Sequence, residues 1–223
     1  MKIFGHMLLL NEETFIEHSI VNLAKTVDKC VVADMGSTDK TLEILEELNL
    51  DNVLIYKFNQ NCDRYKLKQH DMRNWINEEC TRLGADYVFV QDGDELLDYD
   101  LHKLIETNPK DYYSFMFYDV VFRKYIKPFG IHNHVRLYKS NYITWIHQRH
   151  SDLTHNNVIL NKNDKNFLVD DVYFFHLHRF NNKAKRDEGE GDGTIWGNDV
   201  MEDFPQEVVL SDSLLKFWEA KGI

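Results

Sequence analysis

The sequence predicts an α/β fold, with a mostly parallel sheet and helices on both of its faces. Three observations carry that prediction. Between residues 2 and 91, short β-branched and aromatic runs alternate with stretches of helical periodicity. Two of those runs, VVADMGSTDKT at 31–41 and YVFVQDGDELL at 87–97, end abruptly in Asp, Gly and Ser or Glu. A buried strand that delivers carboxylates at its C-terminal end is the usual ligand-site geometry of an open α/β sheet. Beyond about Leu104 the texture changes to longer aromatic runs, which predict antiparallel strands.

The elements follow in order. Residues 2–10 read as the first strand. From 14 to 27 the apolar positions Phe15, Ile16, Ile20, Leu23, Ala24 and Val27 recur with a helical period. Residues 30–34 form a second strand, after which Ser37 or Thr38 can cap a helix running through Leu42, Ile44, Leu45 and Leu48. A third strand spans 52–58. The helix at 66–83 would turn Met72, Trp75, Ile76 and Cys80 inward, and a fourth strand at 87–91 ends at the acidic run. In the second half, 112–122 reads as a long strand, with further, antiparallel strands at 134–138 and 142–146. FFHLHR at 174–179 places His176 and His178 on one face of a strand. The stretch 181–198 is polar, carries Gly189, Gly191, Gly193, Gly197 and Trp196, and reads as a mobile loop. An amphipathic helix closes the chain at 211–220. No repeat or linker divides it, so 1–223 reads as a single domain with a junction near Leu104.

Composition narrows the function. With 43% hydrophobic residues the chain can build a true core. A formal charge of -11 argues against a surface that tracks nucleic acid, unless a patch such as Lys183, Lys185 and Arg186 is local. Cys30, Cys62 and Cys80 are odd in number and lack metal-type spacing, which fits reduced thiols in a cytoplasmic compartment. MKIFGHMLLLNEE is not a secretory signal, and no run approaches the roughly 20 apolar residues of a membrane span. A soluble cytoplasmic protein is expected, and peripheral membrane contact is compatible with it.

Two clusters could carry chemistry. Asp34 ends a strand and precedes Gly36, Ser37 and Asp39. Its carboxylate could accept hydrogen bonds from a nucleobase while Gly36 admits a ligand close to the backbone, or Asp39 and Ser37 could simply cap the next helix. Asp92, Asp94 and Glu95 crowd three acidic groups into four residues. A hard divalent cation would relieve their repulsion; a solvated turn capping a helix near Tyr99 is the plainer alternative.

Taken together, Asn11-Glu12-Glu13, ADMGSTDKT, Arg73-Asn74 and QDGDE resemble, in order and approximate spacing, the family 2 glycosyltransferases of the GT-A fold. The match covers roughly the first half of the chain and loosens beyond it. The resemblance implies a nucleotide-diphospho-sugar transferase fold, with a nucleotide-binding half at 1–104 and an antiparallel, acceptor-side half at 105–223. It implies a metal-dependent, inverting transfer of a sugar from a nucleotide diphosphate donor to an acceptor hydroxyl, with Mn²⁺ or Mg²⁺ as cofactor. Asp34 looks like the base-binding residue, and Arg73 like its partner near the base or phosphates. Asp92 would contact ribose or metal, Asp94 would bind the metal, and Asn11 and Glu13 would line the nucleotide end. His176 or His178 resembles the late histidine that often completes the metal site, a hydrogen-bonded core pair being the alternative. Arg136 matches an arginine near the sugar or diphosphate, or else forms a structural salt bridge.

Trp145-Ile146-His147-Gln148 resembles the acceptor-side pattern, but Gln148 stands where a glutamate is common, and glutamine cannot act as a base. His147, His150, Asp152 and Asp119 are candidate replacements; His147 titrates near neutrality and Asp152 has the carboxylate the family prefers. A glycan, a lipid-linked glycan or a protein is the expected acceptor, with nucleic acid least favoured. Two rival readings remain. A nucleotidyltransferase would carry a glycine-rich basic loop where Asn11-Glu12-Glu13 stands. A decayed nucleotide- or carbohydrate-binding module would explain Gln148.

Overall fold

The computed structural model of the chain describes residues 1–58, 69–121, 124–126, 133–146, 157–159, 167–177, 201–203 and 212–221. β1 (Ile3–Leu9) lies inside the sheet, and all seven of its residues are buried. Burial from both sides explains why the strand is apolar almost without interruption. β2 (Lys29–Asp34) and β4 (Tyr87–Val90) flank β1 in parallel, and β3 (Val53–Lys57) extends the parallel set beyond β2.

The sheet then changes character as the sequence predicts. β8 (Asn133–Lys139) pairs antiparallel with β4, and β6 (Tyr112–Val121) antiparallel with β8. β7 (Lys124–Ile126) and β12 (Met201–Asp203) continue along β6. β11 (Phe167–His176) runs parallel to β6, and its last two residues pair antiparallel with the short β5 (Glu95–Leu96). Among the described residues these ten strands make one sheet, while β9 (Thr144–Ile146) and β10 (Asn157–Ile159) form a separate antiparallel pair.

Strand alternation divides the core between two faces. Ile3, Met7 and Leu9 meet Ile16, Ile20 and Leu23 of α1 (Ile16–Thr26), together with Leu101, Leu104 and Ile105 of α4 (Leu101–Thr107). Phe4 and Leu8 instead meet Ile76 and Cys80 of α3 (Gln69–Arg82). A third cluster seats Leu214, Phe217 and Trp218 of α5 (Asp212–Ala220) against Phe15, Leu96 and Phe175. No described helix is long and apolar enough to cross a membrane.

Two differences from expectation have physical causes. α2 (Thr41–Leu48) begins with Lys40 at the cap position and no side-chain cap, whereas Ser37 or Thr38 was the expected cap. Asp34 and Asn11 draw those two residues into hydrogen bonds of their own upstream of the helix. β11 begins at Phe167, well before the strand suggested around Phe174. Asp170 and Asp171 lie within a register shift between Val169 and Tyr173, and they interrupt the apolar pattern that marks a strand.

Candidate active site

Parallel pairing brings the C-terminal ends of β1, β2 and β4 to one edge, with Leu9 opposite Asp34 and Asp34 opposite Lys57. Residues 11–13, 36–40 and 92–94 leave the sheet there. Ligand sites of open α/β sheets lie at this edge.

Asp34 is fully buried. Its Oδ1 accepts the N–H groups of Gly36 and Ser37, each at 2.9 Å, and its Oδ2 accepts the Ser37 hydroxyl at 2.5 Å. Gly36 adopts φ 97°, which strains any residue with a side chain, so this turn requires glycine. The loop after β1 is laced to the same turn. Asn11 N–H donates to Ser37 Oγ at 2.9 Å, and Asn11 Oδ1 accepts Thr38 N–H at 2.8 Å. Glu12 N–H donates to Thr41 Oγ1 at 2.7 Å, and Glu13 Oε2 accepts Lys40 N–H at 3.0 Å. Asn11, Glu13 and Asp34 are therefore brought together, and these contacts shape the loops they sit on.

The acidic turn is framed from below. Gln91 Nε2 donates to the carbonyls of Ser19 and Glu95, at 3.0 and 2.9 Å, and Ser19 Oγ donates to the same Glu95 carbonyl at 2.9 Å. Asn22 pairs with both the N–H and the C=O of Leu97, at 2.9 and 3.1 Å. Ser19 and Asn22 interrupt the apolar stripe of α1, and that interruption is the sequence signal for a helix gripping something polar. Gly93 lies flat on the β1 loop: a Cβ there would stand 2.7 Å from Leu9 Cδ2 and 2.8 Å from Glu12 Cγ.

Two arginines meet this turn. Arg73 Nη2 donates to Asp92 Oδ1 at 2.7 Å, and Arg136 Nη1 approaches Asp92 Oδ2 at 3.4 Å. Arg136 Nη2 also donates to Glu95 Oε1 at 2.6 Å, while Glu95 Oε2 accepts Asp92 N–H at 2.7 Å. Arg136 thus forms the salt bridge that the sequence offered as its alternative role. Burial opposes ionisation of Asp92, but Arg73 and Arg136 outweigh it and hold the carboxyl well below its usual range. Glu95 goes the other way. Burial raises it, Arg136 opposes, Asp92 adds to the rise, and the group is pushed up to about 7.

On the outer side of the turn, His176 Nε2 lies 3.3 Å from Asp94 Oδ2, and Leu177 N–H donates to the Asp94 carbonyl at 2.8 Å. The β5–β11 pairing, with His176 opposite Glu95, produces that approach. Among the described residues no three His, Cys, Asp or Glu side chains gather closely enough to hold a metal by themselves. One carboxylate and one imidazole are donors that a Mn²⁺ or Mg²⁺ ion accepts, and such an ion would need further oxygen ligands from phosphate or water. Asp92, also a candidate ligand, directs both oxygens at guanidinium groups.

Behind the turn Arg73, Asn74 and Trp145, which the sequence marks in separate motifs, come together. Arg73 Cζ sits 5.1 Å from the centroid of the Trp145 ring, and its Nε and Nη1 are buried without a hydrogen-bond partner among the described residues. The Asn74 side chain pairs with the backbone of Trp145 in both directions, Nδ2 to the carbonyl at 2.9 Å and Oδ1 from the N–H at 2.8 Å. His6, fully buried in β1, is 2.9 Å from Asn77 Oδ1 through Nδ1, and its ring centroid is 6.0 Å from that of Trp145. Burial first, then Arg73, push His6 down to about 3, so its imidazole is neutral. His6 escapes the sequence reading, its signal being a lone histidine in the apolar run IFGHMLL.

His147, Gln148, His150, Asp152, His178, Cys62, the basic patch and the 181–198 stretch lie outside the described residues, and so does the side chain of Asp119.

No protein-family model matches the chain, and no curated protein does. Solved structures do resemble it. S. aureus TarS 1–349 matches with a TM-score of 0.56 and 18% identity, over 79% of this chain and 60% of that one. S. aureus TarS matches with a TM-score of 0.55 and 17% identity, over 79% and 37%. Glucosyl-3-phosphoglycerate synthase from Mycobacterium tuberculosis, solved with Mn²⁺ and UDP-glucose, reaches a TM-score of 0.39 at 20% identity over 52% and 43%, too partial a likeness to bear on this chain. The chain spans less than two thirds of the length of each. What the TarS likeness shows is the fold: a mixed α/β, mostly parallel central sheet of the GT-A type.

Proposed function

We propose that the protein is a divalent-metal-dependent, inverting glycosyltransferase that moves a sugar from a nucleotide diphosphate to a hydroxyl of a glycan, lipid-linked glycan or protein. The observation that carries this reading is the meeting of Asp94 and His176, 3.3 Å apart, at the strand edge that also presents Asp34 and Asp92. The GT-A fold supports it at the level of architecture.

Transfer forms a bond between the acceptor oxygen and the anomeric carbon as the bond from that carbon to the diphosphate breaks. The electron pair leaves with the diphosphate, and the acceptor proton passes to a base. Asp94 and His176 would hold Mn²⁺ or Mg²⁺, which when bound neutralises charge on the departing diphosphate. Arg73, with Nε and Nη1 uncommitted, would donate to oxygens of the nucleotide. Asp34, Asn11 and Glu13 would shape the pocket for the base through the two laced loops. Arg136 holds Asp92 and Glu95 in register beneath it. For the base, the sequence offers His147 and Asp152, and His178 remains a further candidate ligand.

A thermal-shift screen of UDP, GDP, CDP and ADP with and without Mn²⁺ tests the reading, because ligands of the native state raise Tm. A Mn²⁺-dependent shift that Asp94→Ala abolishes in a folded protein supports it. No shift with any nucleotide refutes it.

A further inference from the structure

We infer that Trp145 is a positioning residue for Arg73, and that Asn74 sets the height of the indole so that the guanidinium meets the oxygens of a nucleoside diphosphate. The inference rests on the nucleotide-binding reading above and adds to it a coupling between β9 and the donor site.

Arg73 is almost entirely buried, yet among the described residues only its Nη2 has a hydrogen-bond partner, Asp92. Buried guanidinium N–H groups are costly to leave unmade, and a native protein that keeps them has a reason. A guanidinium offers a planar fork of donors suited to phosphate oxygens, which are acceptors only. Something must hold that plane still while no ligand is present. Asp92 fixes one corner, and the face of Trp145 supports the rest at 5.1 Å.

The support is itself anchored to the helix that carries Arg73. Asn74 follows Arg73 in α3, and its amide pairs with the Trp145 backbone as a neighbouring strand would, one bond each way. Guanidinium and indole are therefore tied to one helix through adjacent residues. His6 lies beside the indole as a neutral ring and adds no competing charge. A tryptophan that only filled the core would need neither the ion on its face nor the reciprocal amide bonds at its backbone.

The test is a double-mutant cycle on nucleotide affinity, read by calorimetry with Mn²⁺ and whichever of UDP, GDP, CDP or ADP the wild type binds. Trp145→Leu should weaken binding roughly two- to thirtyfold, the span of one cation–π contact. Trp145→Phe, which keeps an aromatic face, should recover most of that. In an Arg73→Ala background Trp145→Leu should cost nothing more, since its effect runs through the arginine. If Trp145→Leu does not fold, Asn74→Ser takes its place in the cycle, releasing the Trp145 backbone while leaving the indole intact. Additive losses, or an unchanged affinity in the folded single variant, overturn the inference while leaving the nucleotide reading intact. A wild type that binds no nucleotide overturns both.

Discussion

His176 Nε2 and Asp94 Oδ2 lie 3.3 Å apart although they come from opposite halves of the chain. The register of β5 against β11 holds them there, so the pair is a property of the sheet and not of a flexible loop. As a metal pair the two should act together. His176→Ala is expected to weaken Mn²⁺ binding at least about tenfold, in the range seen when metal-site partners are lost. Titrating free Mn²⁺ by electron paramagnetic resonance, with nucleotide present, checks this; an unchanged titration would remove the histidine from the site.

Arg136 and Glu95 form a buried pair, with the arginine side chain 11% and the carboxylate 2% exposed. Removing one member of such a pair leaves a buried charge uncompensated. Arg136→Met should cost about 3–5 kcal/mol in urea unfolding, and adding Glu95→Gln should return part of it. Equal losses in the single and double variants would mean that the pairing is not what stabilises this region.

Gly93 has no room for a methyl group, because Leu9 Cδ2 and Glu12 Cγ occupy its place. Gly93→Ala should destabilise the fold by about 1–3 kcal/mol and push the acidic turn away from β1. Mn²⁺-dependent nucleotide binding should fall more than the loss in Tm accounts for. A variant with wild-type Tm and affinity would show that the turn yields freely.

His6 makes stability depend on pH. Its folded value, about 3, lies below the ordinary 6.5, so the unfolded chain binds the proton more readily. Stability contributed by neutral His6 is complete above about pH 6.5 and is lost as pH falls toward 3, by at most about 1.4 kcal/mol per unit. Glu95, raised to about 7, acts in the opposite sense, favouring the fold more as pH falls from 7 toward its ordinary value. The difference between wild type and His6→Gln isolates the histidine. Urea unfolding at pH 7 and pH 5 should show the gap between the two proteins narrowing at pH 5; a constant gap would contradict a neutral buried imidazole.

The parallel half of the fold was readable from the sequence because its strands are short and apolar, and two of them, β2 and β4, end in turns that carry aspartate and glycine. The same turns marked Asp34, Asp92 and Asp94, since carboxylates at strand ends stand out against apolar runs. Long-range pairings were not readable. Nothing in the string places Arg136 against both Asp92 and Glu95, because that contact depends on β8 lying beside β4. Asn74 stands out in the sequence only as the neighbour of Arg73 in one motif, and its bonds to Trp145 need a segment from the other half of the chain. The aspartates in β11 hid its first residues because an irregularity in register absorbs them.

The placement of Asp92 between Arg73 and Arg136 bears on the order in which the site assembles. Crowded carboxylates suggest a metal as the remedy for their mutual repulsion, yet here two guanidiniums already supply positive charge within the protein. The turn therefore does not depend on a cation to keep its shape. Chelation by EDTA should leave the melting of the nucleotide-free protein unchanged, and on the proposed reading a divalent ion would join only together with a nucleoside diphosphate, as the second half of a joint event.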